Sequence, residues 1–230
     1  MRPVDYYSKI DDRSAAWSDL RLDKNFAPFS KVLLPLFDNM PDGGDVLDIG
    51  CQGGHLLRLI KQKFSKAYGL DIVEYKDDWA IDKDIIFSVH DVDASPLPYS
   101  DEQFKCVICT NVFEHIFDVF NLASEISRIT KPNGYCIIMV PNVAYIKHLI
   151  NLIRGRVPRT GAQSYPFSEK DGWDGCHLHY FTINEMKNIL QTNGIETLIV
   201  NSSGRWSLIR KIWKNLLYAD IVLLGKKIAF

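Results

Sequence analysis

The sequence of 230 residues lacks the long apolar run of a membrane-spanning helix, which needs at least about 18 uncharged residues. Its first residues, MRPVDYYSKIDDRS, also lack the apolar core of a secretory signal. Cysteine is scarce and odd in number, so a disulfide framework is not expected. The five cysteines stand mostly inside apolar runs and are expected to be buried thiols: Cys51, Cys106, Cys109, Cys136 and Cys176. These absences favour a cytoplasmic protein.

Charge is nearly balanced over the whole chain but not along it. Residues 1–120 hold 13 basic and 21 acidic residues, whereas residues 121–230 hold 14 basic and 7 acidic residues. This division favours either a cationic ligand in one half and an anionic one in the other, or two ordinary solvated faces. With a net charge of −1 and no recognised nucleic-acid module, binding to nucleic acid is not expected.

Apolar runs alternate with amphipathic ones over most of the chain, which predicts an α/β fold with a doubly wound, seven-stranded, mostly parallel sheet. We expect residues 1–40 to form short helical pieces that lead into or cover the domain, and residues 41–230 to form one domain with a segment of about 142–181 inserted after the fifth strand. The seven predicted strands are DVLDIG, KAYGLDIVE, DIIFSVHDVD, FKCVICTN, YCIIMVPN, IETLIVNSS and ADIVLLGKK.

Three helices are predicted from apolar spacing and capping residues. HLLRLIKQKF presents one apolar face from position 55 to position 64. Asp118 is expected to cap a helix that runs to Ile129. Thr182 and Glu185 fit a capping box at the start of a helix that ends at Asn193–Gly194.

The stretch VLDIGCQGGHLL, residues 46–57, joins a predicted strand to a predicted helix through three glycines. The dinucleotide pattern G-x-G-x-x-G is absent, because no glycine stands two positions after Gly50. Asp48 would also repel a pyrophosphate at this turn. A cofactor without phosphate and with positive charge reverses that preference, and S-adenosylmethionine, with its sulfonium and ammonium groups, is such a cofactor.

VLDIGCQGG resembles motif I of the class I S-adenosylmethionine-dependent methyltransferases. The resemblance continues in order through GLDIVE, HDVDASPLPYSDEQFKCVICTNVFEHI and ITKPNGYCIIMVPN, and so covers residues 45–142. It implies a Rossmann-like fold, S-adenosyl-L-methionine as cofactor and methyl transfer as activity.

The resemblance also implies which residues bind the cofactor. Asp48 would lie near the ammonium group, while Gly50 and Gly54 would let the backbone approach the cofactor. The remaining matches are Asp71 with Ile72 for the ribose hydroxyls, Asp91 and Val92 for the adenine, and Thr110 and Asn111 beneath the cofactor. Gln52 stands where the family usually has a second glycine, and we expect the neighbouring Gly53 to take over the tight turn.

The acceptor side of the chain is similar to a subgroup that includes the methionine-biosynthesis protein MetW and methyltransferases of surface glycans and lipids. Pro141–Asn142 and the pattern His177…Phe181–Thr182 carry this likeness. It implies a small-molecule or glycan-type acceptor, methylated at oxygen. A hydroxyl acceptor needs a base, and His177 and His115 are the candidate catalytic residues. Structural roles for both remain alternatives.

Arg154, Arg156 and Arg159 suit an anionic acceptor. Asp174, Cys176, His177 and His179 are close in sequence, but their spacing matches no closed zinc pattern, so no metal is expected. RWSLIRKIWKNLL is either a basic amphipathic helix in peripheral contact with a membrane or, as we favour, a helix packed on the sheet.

The alternative to an enzyme is a methyltransferase-like regulatory subunit that binds the cofactor and docks to a partner enzyme.

Overall fold

The computed structural model describes residues 27–74, 83–94, 96–160, 177–202 and 213–228. Seven strands and six α-helices form in this part of the chain. The strands are β1 (Asp45–Ile49), β2 (Lys66–Asp71), β3 (Ile85–Val89), β4 (Phe104–Thr110), β5 (Thr130–Pro141), β6 (Ile195–Asn201) and β7 (Asp220–Lys227). The helices are α1 (Ala27–Phe37), α2 (His55–Ile60), α3 (Val119–Ile129), α4 (Ile146–Ile153), α5 (Ile183–Thr192) and α6 (Lys214–Leu217).

The strands form one sheet in the order β3-β2-β1-β4-β5-β7-β6. β7 is antiparallel to both of its neighbours, and the other six strands share one direction. The predicted seven-stranded, mostly parallel sheet is therefore confirmed. The order reverses between β1 and β4, and ligands bind at such a switch point, beyond the carboxyl ends of the strands.

Both faces of the sheet are covered, because alternate residues of the central strands enter two separate cores. Leu47 on β1 and Val107 on β4 belong to the core formed with α3 and α5. Val46 and Cys106 belong to the core formed with α1 and α2. Since Asp48 is two residues from Val46, its side chain lies on the α1–α2 face.

The capping predictions are confirmed. Asp118 accepts a hydrogen bond from the Asn121 amide at the start of α3, which ends at Ile129. Thr182 and Glu185 form the predicted capping box of α5. The helix predicted over residues 55–64 ends at Ile60 and continues as one 3₁₀ turn, Lys61–Lys63, with its predicted apolar face buried.

Two regions differ from or exceed the predictions. α4 lies within residues 142–181, where no helix was predicted. At the predicted C-terminal helix, the described part is only the four-residue α6 with Trp213 exposed before it; residues 203–212 lie outside the described residues.

Four cysteines, Cys51, Cys106, Cys109 and Cys136, are buried free thiols as predicted, and Cys176 lies outside the described residues. A helix long and apolar enough to cross a membrane does not occur in the described ranges.

Candidate active site

The turn after β1 is tight and left-handed at alternate residues. Gly50 and Gly54 both have φ of +74°, a conformation that L side chains rarely adopt. A Cβ on Gly50 would collide with the side chain of Val112, which follows β4. The amides of Gly50 and Cys51 both donate to the Leu70 carbonyl of β2, at 2.8 and 3.2 Å. The chain at this turn therefore has no room for a side chain at position 50.

The expectation that Gly53 takes over the turn is wrong. Gln52 itself has φ of +47°, and Gly53 is not in the left-handed region. The amide of Gln52 donates to Asp71 Oδ2 at 2.8 Å, which helps to hold this conformation. The exposed side chain of Gln52 needs no room in the interior. The left-handed positions are thus 50, 52 and 54, and Gln52 occupies one of them at a cost in backbone strain.

Asp48 is the most strongly perturbed acid of the site. It is 3% exposed, and its Oδ1 has no hydrogen-bond partner among the described residues. Burial, with a smaller contribution from the charge of Asp71, raises the pKa of Asp48 from 3.8 to about 8. A buried carboxyl group with an unsatisfied oxygen is a favourable place for a cationic group of a ligand.

Asp71 ends β2 beside the glycine turn. Its Oδ2 accepts from the Gln52 amide and its Oδ1 accepts from the Val73 amide at 3.2 Å. A backbone amide therefore holds each oxygen of the carboxylate. Each carboxylate oxygen has a second lone pair, so hydroxyl groups of a ligand can still bind. Asp71 is only 8% exposed, whereas Ile72 is half-buried.

The two residues expected at the adenine follow β3. Asp91 accepts from the Asp93 amide at 3.0 Å, and Val92 begins a 3₁₀ turn that ends at Ala94. Asp93 in turn accepts from the amide of Phe117, which connects this turn to the loop before α3. Both expected residues are half-buried at the same edge of the sheet as Asp71.

β4 ends at Thr110, and Asn111, predicted to end the strand with it, is the first residue after it. Asn111 has φ of +54°, and its amide donates to the Met139 carbonyl of β5 at 2.8 Å. Asn111 is exposed and Thr110 is half-buried. The bend at Asn111 turns the chain toward the 3₁₀ turn Phe113–His115.

The structure brings together the two histidines predicted to be catalytic. The rings of His115 and His177 contact each other edge to face, with centroids 4.8 Å apart and an angle of 74° between the ring planes. Nδ1 of His177 lies 2.6 Å from the hydroxyl of Thr160, which comes from the segment after α4. His115 Nε2 lies 4.0 Å from the carboxylate of Glu114. His179 instead lies against the ring of Phe181.

Backbone contacts hold the segment of His177 in place. The amides of Leu178 and His179 both donate to the carbonyl of Glu114, at 2.7 and 3.3 Å. Asn142 and Phe181, which belong to the two separate motifs of the subgroup likeness, form a bridge that joins the chain after β5 to the chain before α5. The side chain of Asn142 is buried and donates to the carbonyls of Asn215 and Tyr218. Asn142 therefore organises the backbone around the site.

Glu114, His115 and His177 are also the described residues that could hold a metal ion, with ligand atoms within 4.8 Å of one another. Donors about 2.1 Å from one zinc ion lie roughly 3.4 Å apart, so this group would have to contract to bind a metal. Of the sequence cluster considered earlier, Asp174 and Cys176 lie outside the described residues.

Two residues that the sequence did not single out belong to the surroundings of this site: Glu114 and Thr160. Glu114 could have been suspected, since it precedes His115 directly. Thr160 is distant in sequence from its partner His177.

Fold and site together define a class of protein. A sheet in this strand order, with a glycine turn after β1 and acidic residues at or near the carboxyl ends of β1, β2 and β3, is that of the class I S-adenosylmethionine-dependent methyltransferases. The chain belongs to the methyltransferase domain family, whose model matches residues 21–199, more than half of the chain.

Similar proteins agree with this assignment. The ubiquinone biosynthesis O-methyltransferase of Alkalilimnicola ehrlichii is 26% identical over 106 residues, which are 44% of this chain and 43% of that protein. The chain spans less than half the length of the curated relatives it matches.

Solved structures share the fold at low identity. A complex of the Haloferax volcanii Trm112 methyltransferase activator with a methyltransferase has a TM-score of 0.65 at 16% identity, covering 100% of this chain and 99% of that one. The Burkholderia thailandensis 1,6-didemethyltoxoflavin-N1-methyltransferase, solved with S-adenosylhomocysteine, has a TM-score of 0.64 at 16% identity, covering 98% and 86%.

Proposed function

We propose that this protein transfers the methyl group of S-adenosylmethionine to an oxygen atom of a small-molecule or glycan-type acceptor. One observation carries the proposal. The buried Asp48 with its unpartnered oxygen lies next to the glycine turn after β1, and His115, whose ring contacts His177, follows β4, the neighbouring strand in the sheet. A site for a cationic cofactor and a pair of proton-accepting groups thus share one edge.

The cofactor residues fit a ligand that carries an ammonium group. Asp48 would bind that group, and its ionised form would be favoured by the new positive charge. The glycine turn from Gly50 to Gly54 would let the backbone approach the methionyl part. Asp71 would accept the ribose hydroxyls, with Asp91 and the Val92 amide at the adenine.

When bound, S-adenosylmethionine supplies a methyl group that is already activated by its positively charged sulfur. The residues of this chain then have to align the acceptor, exclude water and accept a proton. An imidazole of the His115–His177 pair would accept the proton that the acceptor hydroxyl has to lose. Thr160 holds Nδ1 of His177, so we assign the proton to Nε2 of that ring.

The acceptor class rests on three supports. The relative from Alkalilimnicola ehrlichii is named as an O-methyltransferase, which agrees with transfer to oxygen. The likeness to MetW and to glycan and lipid methyltransferases points to a small or glycan-type acceptor. Arg159 is exposed and directly precedes Thr160, the residue that contacts His177, so a positive charge lies within one residue of the proposed base.

The experiment has two stages. Calorimetric titration with S-adenosylmethionine and S-adenosylhomocysteine should give micromolar binding that Asp71→Ala abolishes, with NAD as a ligand that does not bind. Turnover is then measured on hydroxyl-bearing acceptors. His177→Ala should retain cofactor affinity within about twofold and lose roughly 100-fold or more in turnover.

His179→Ala is the matched control, because it removes an imidazole two residues away and should leave turnover intact. Dialysis against EDTA without loss of activity separates an imidazole base from a metal-dependent reaction. Failure to bind either S-adenosyl compound would refute the proposal at its first stage. Cofactor binding without turnover, together with a stable partner complex, would favour the regulatory subunit.

A further inference from the structure

The helix α4 places its apolar residues on the outside. Ile146, Leu149, Ile150 and Ile153 stand at positions i, i+3, i+4 and i+7, which is one face of a helix. On a helix packed against a protein core this face would be buried. Here Ile146, Ile150 and Ile153 are 38%, 41% and 86% exposed, whereas the polar His148 of the same helix is 7% exposed.

Exposed apolar side chains are not confined to this face. Leu152, in the last turn of α4, is 49% exposed and Val157, beyond the helix end, is 51% exposed, so five large apolar side chains reach solvent within residues 146–157. Scattered single apolar residues on a surface are ordinary, but a contiguous helical face of this kind marks an interaction site. We call the surface of residues 146–159 the α4 surface.

The charge of the α4 surface is of one sign. Lys147, Arg154, Arg156 and Arg159 are all exposed. The sequence holds no aspartate or glutamate from residue 126 to residue 168, so these cations have no acidic neighbours along the chain. An apolar helical face flanked by arginine and lysine alone is complementary to an anionic lipid surface. A protein partner with an apolar face would not by itself require four cations without an intervening acid.

We propose that the α4 surface docks this protein on anionic lipid membranes, with the face of Ile146, Ile150 and Ile153 inserted among the lipids and the cations at the headgroups. The surface adjoins the acceptor side of the site, because Thr160 next to it contacts His177. Docking would present the site to an acceptor with a lipid anchor; this second step rests on the proposed function, and the docking itself does not.

Vesicle sedimentation of the full chain tests the proposal without any cofactor or acceptor. Phosphatidylcholine vesicles with phosphatidylglycerol should bind the protein, those without it should bind far more weakly, and salt should weaken the binding. Arg154→Gln with Arg156→Gln should lower the partition coefficient about 30-fold. Ile153→Ser should lower it about tenfold or more.

Matched controls lie elsewhere on the molecule. Leu59→Ser removes an exposed apolar residue of α2, which is 56% exposed. Lys66→Gln with Lys131→Gln removes two exposed cations at the amino ends of β2 and β5, the opposite edge of the sheet. Both controls should bind vesicles as the unmodified protein does.

Three results would overturn the proposal. One is equal binding, or none, to vesicles with and without anionic lipid. Another is a lower free energy of unfolding in Ile153→Ser with unchanged vesicle binding, which would mean that the chain itself covers the face. The third is a concentration-dependent dimer that Ile153→Ser abolishes, with no vesicle binding, which would assign the face to a second copy. Loss of methyl transfer with intact vesicle binding would count against the proposed function alone.

Discussion

Gln52 is the residue at which the glycine turn departs from the family pattern. A side chain with φ of +47° costs about 1–2 kcal/mol relative to the right-handed region, and glycine avoids that cost. The stability that glycine would add by avoiding this cost is partly offset by its greater conformational freedom in the unfolded chain. Gln52→Gly should therefore raise the free energy of unfolding by about 0.5–1 kcal/mol, measured by urea denaturation.

Gln52→Ala is the control for this prediction, because alanine keeps the Cβ that causes the strain and should bring no gain. Both variants retain the amide that donates to Asp71. Cofactor affinity should stay unchanged in both. A loss of stability in Gln52→Gly would mean that the side chain, and not only the backbone, holds the turn.

Asp48 should make stability depend on pH. Its pKa is about 8 in the folded protein and near 3.8 in the unfolded chain, so the folded state holds an extra proton between these values. The free energy of unfolding should therefore fall as pH rises from about 4 to about 8, with a slope of at most about 1.4 kcal/mol per pH unit, and then level off.

Asp48→Asn tests this dependence, since asparagine has nearly the same shape and no charge to acquire. In urea unfolding from about pH 5 to about pH 9, the free energy of unfolding of Asp48→Asn should rise relative to that of the unmodified protein until about pH 8. Asp38→Asn, at an exposed aspartate, serves as the control. Parallel curves for Asp48→Asn and the unmodified protein would show that Asp48 is already ionised at pH 5.

At the scale of elements, α3 holds the loop between β3 and β4 in place through side-chain hydrogen bonds. Arg128 forms two 2.7 Å bonds with Glu125 and donates to the carbonyls of Leu97 and Tyr99. Glu125 accepts from the Leu97 amide at 2.7 Å. The hydrogen bonds from Arg128 hold the pKa of Glu125 below its usual range. Arg128 also pairs with Asp101 of the same loop at 2.7 Å, so contacts centred on Arg128 hold the loop after the expected adenine residues.

Arg128→Met should lower the free energy of unfolding by about 2–4 kcal/mol, because the Glu125 carboxylate would stay largely buried without its guanidinium. Hydrogen exchange at the Leu97 amide should become faster. Since the stabilising effect of a lowered carboxylate pKa is lost on acidification, the variant should lose less stability than the unmodified protein below about pH 4.5.

Arg128→Lys should recover only part of this loss, because lysine cannot form the paired bonds to Glu125. The double variant Glu125→Gln with Arg128→Met should be more stable than Arg128→Met alone, since it removes the buried charge. If the double variant is no more stable than Arg128→Met, the contacts of Arg128 with the loop carbonyls, and not the ion pair, hold the loop.

Regular elements were predictable where the pattern was local. The alternation of β1 and β4 residues between two cores, and the caps at Asp118 and Thr182, follow from neighbours in sequence. α4 was not predicted, although its apolar residues stand at helical spacing, because glycine and proline residues interrupt the segment 142–181 that contains it. Gln52 was missed because sequence alone favours glycine for a left-handed turn.

At the scale of the whole molecule, the site depends on contacts between distant segments, and these were only partly predictable. The order of parallel strands brings Asp48, Asp71 and Asp91 to one edge, as their positions after the strands predicted. The contact of His115 with His177 requires the chain to return from α4 through Thr160, 17 residues before His177. No local pattern encodes such a return.

Because the proposed cofactor site joins β1, β2 and β4, a ligand there should stabilise the whole fold. S-Adenosylhomocysteine at 100 times its Kd adds about 2.7 kcal/mol to the free energy of unfolding. For a domain of this size that corresponds to a rise in Tm of roughly 5–10 °C.

Gly50→Ala should abolish the rise, because the added Cβ collides with Val112 and displaces β1 from the loop after β4. Gly155→Ala is the matched control: its φ of +67° is equally left-handed, but a Cβ there has nothing within 4 Å, so it bears the backbone strain alone and should keep the ligand shift. Scanning calorimetry of the three proteins with and without ligand separates the two effects. An equal ligand shift in both variants would place the cofactor away from the β1 turn.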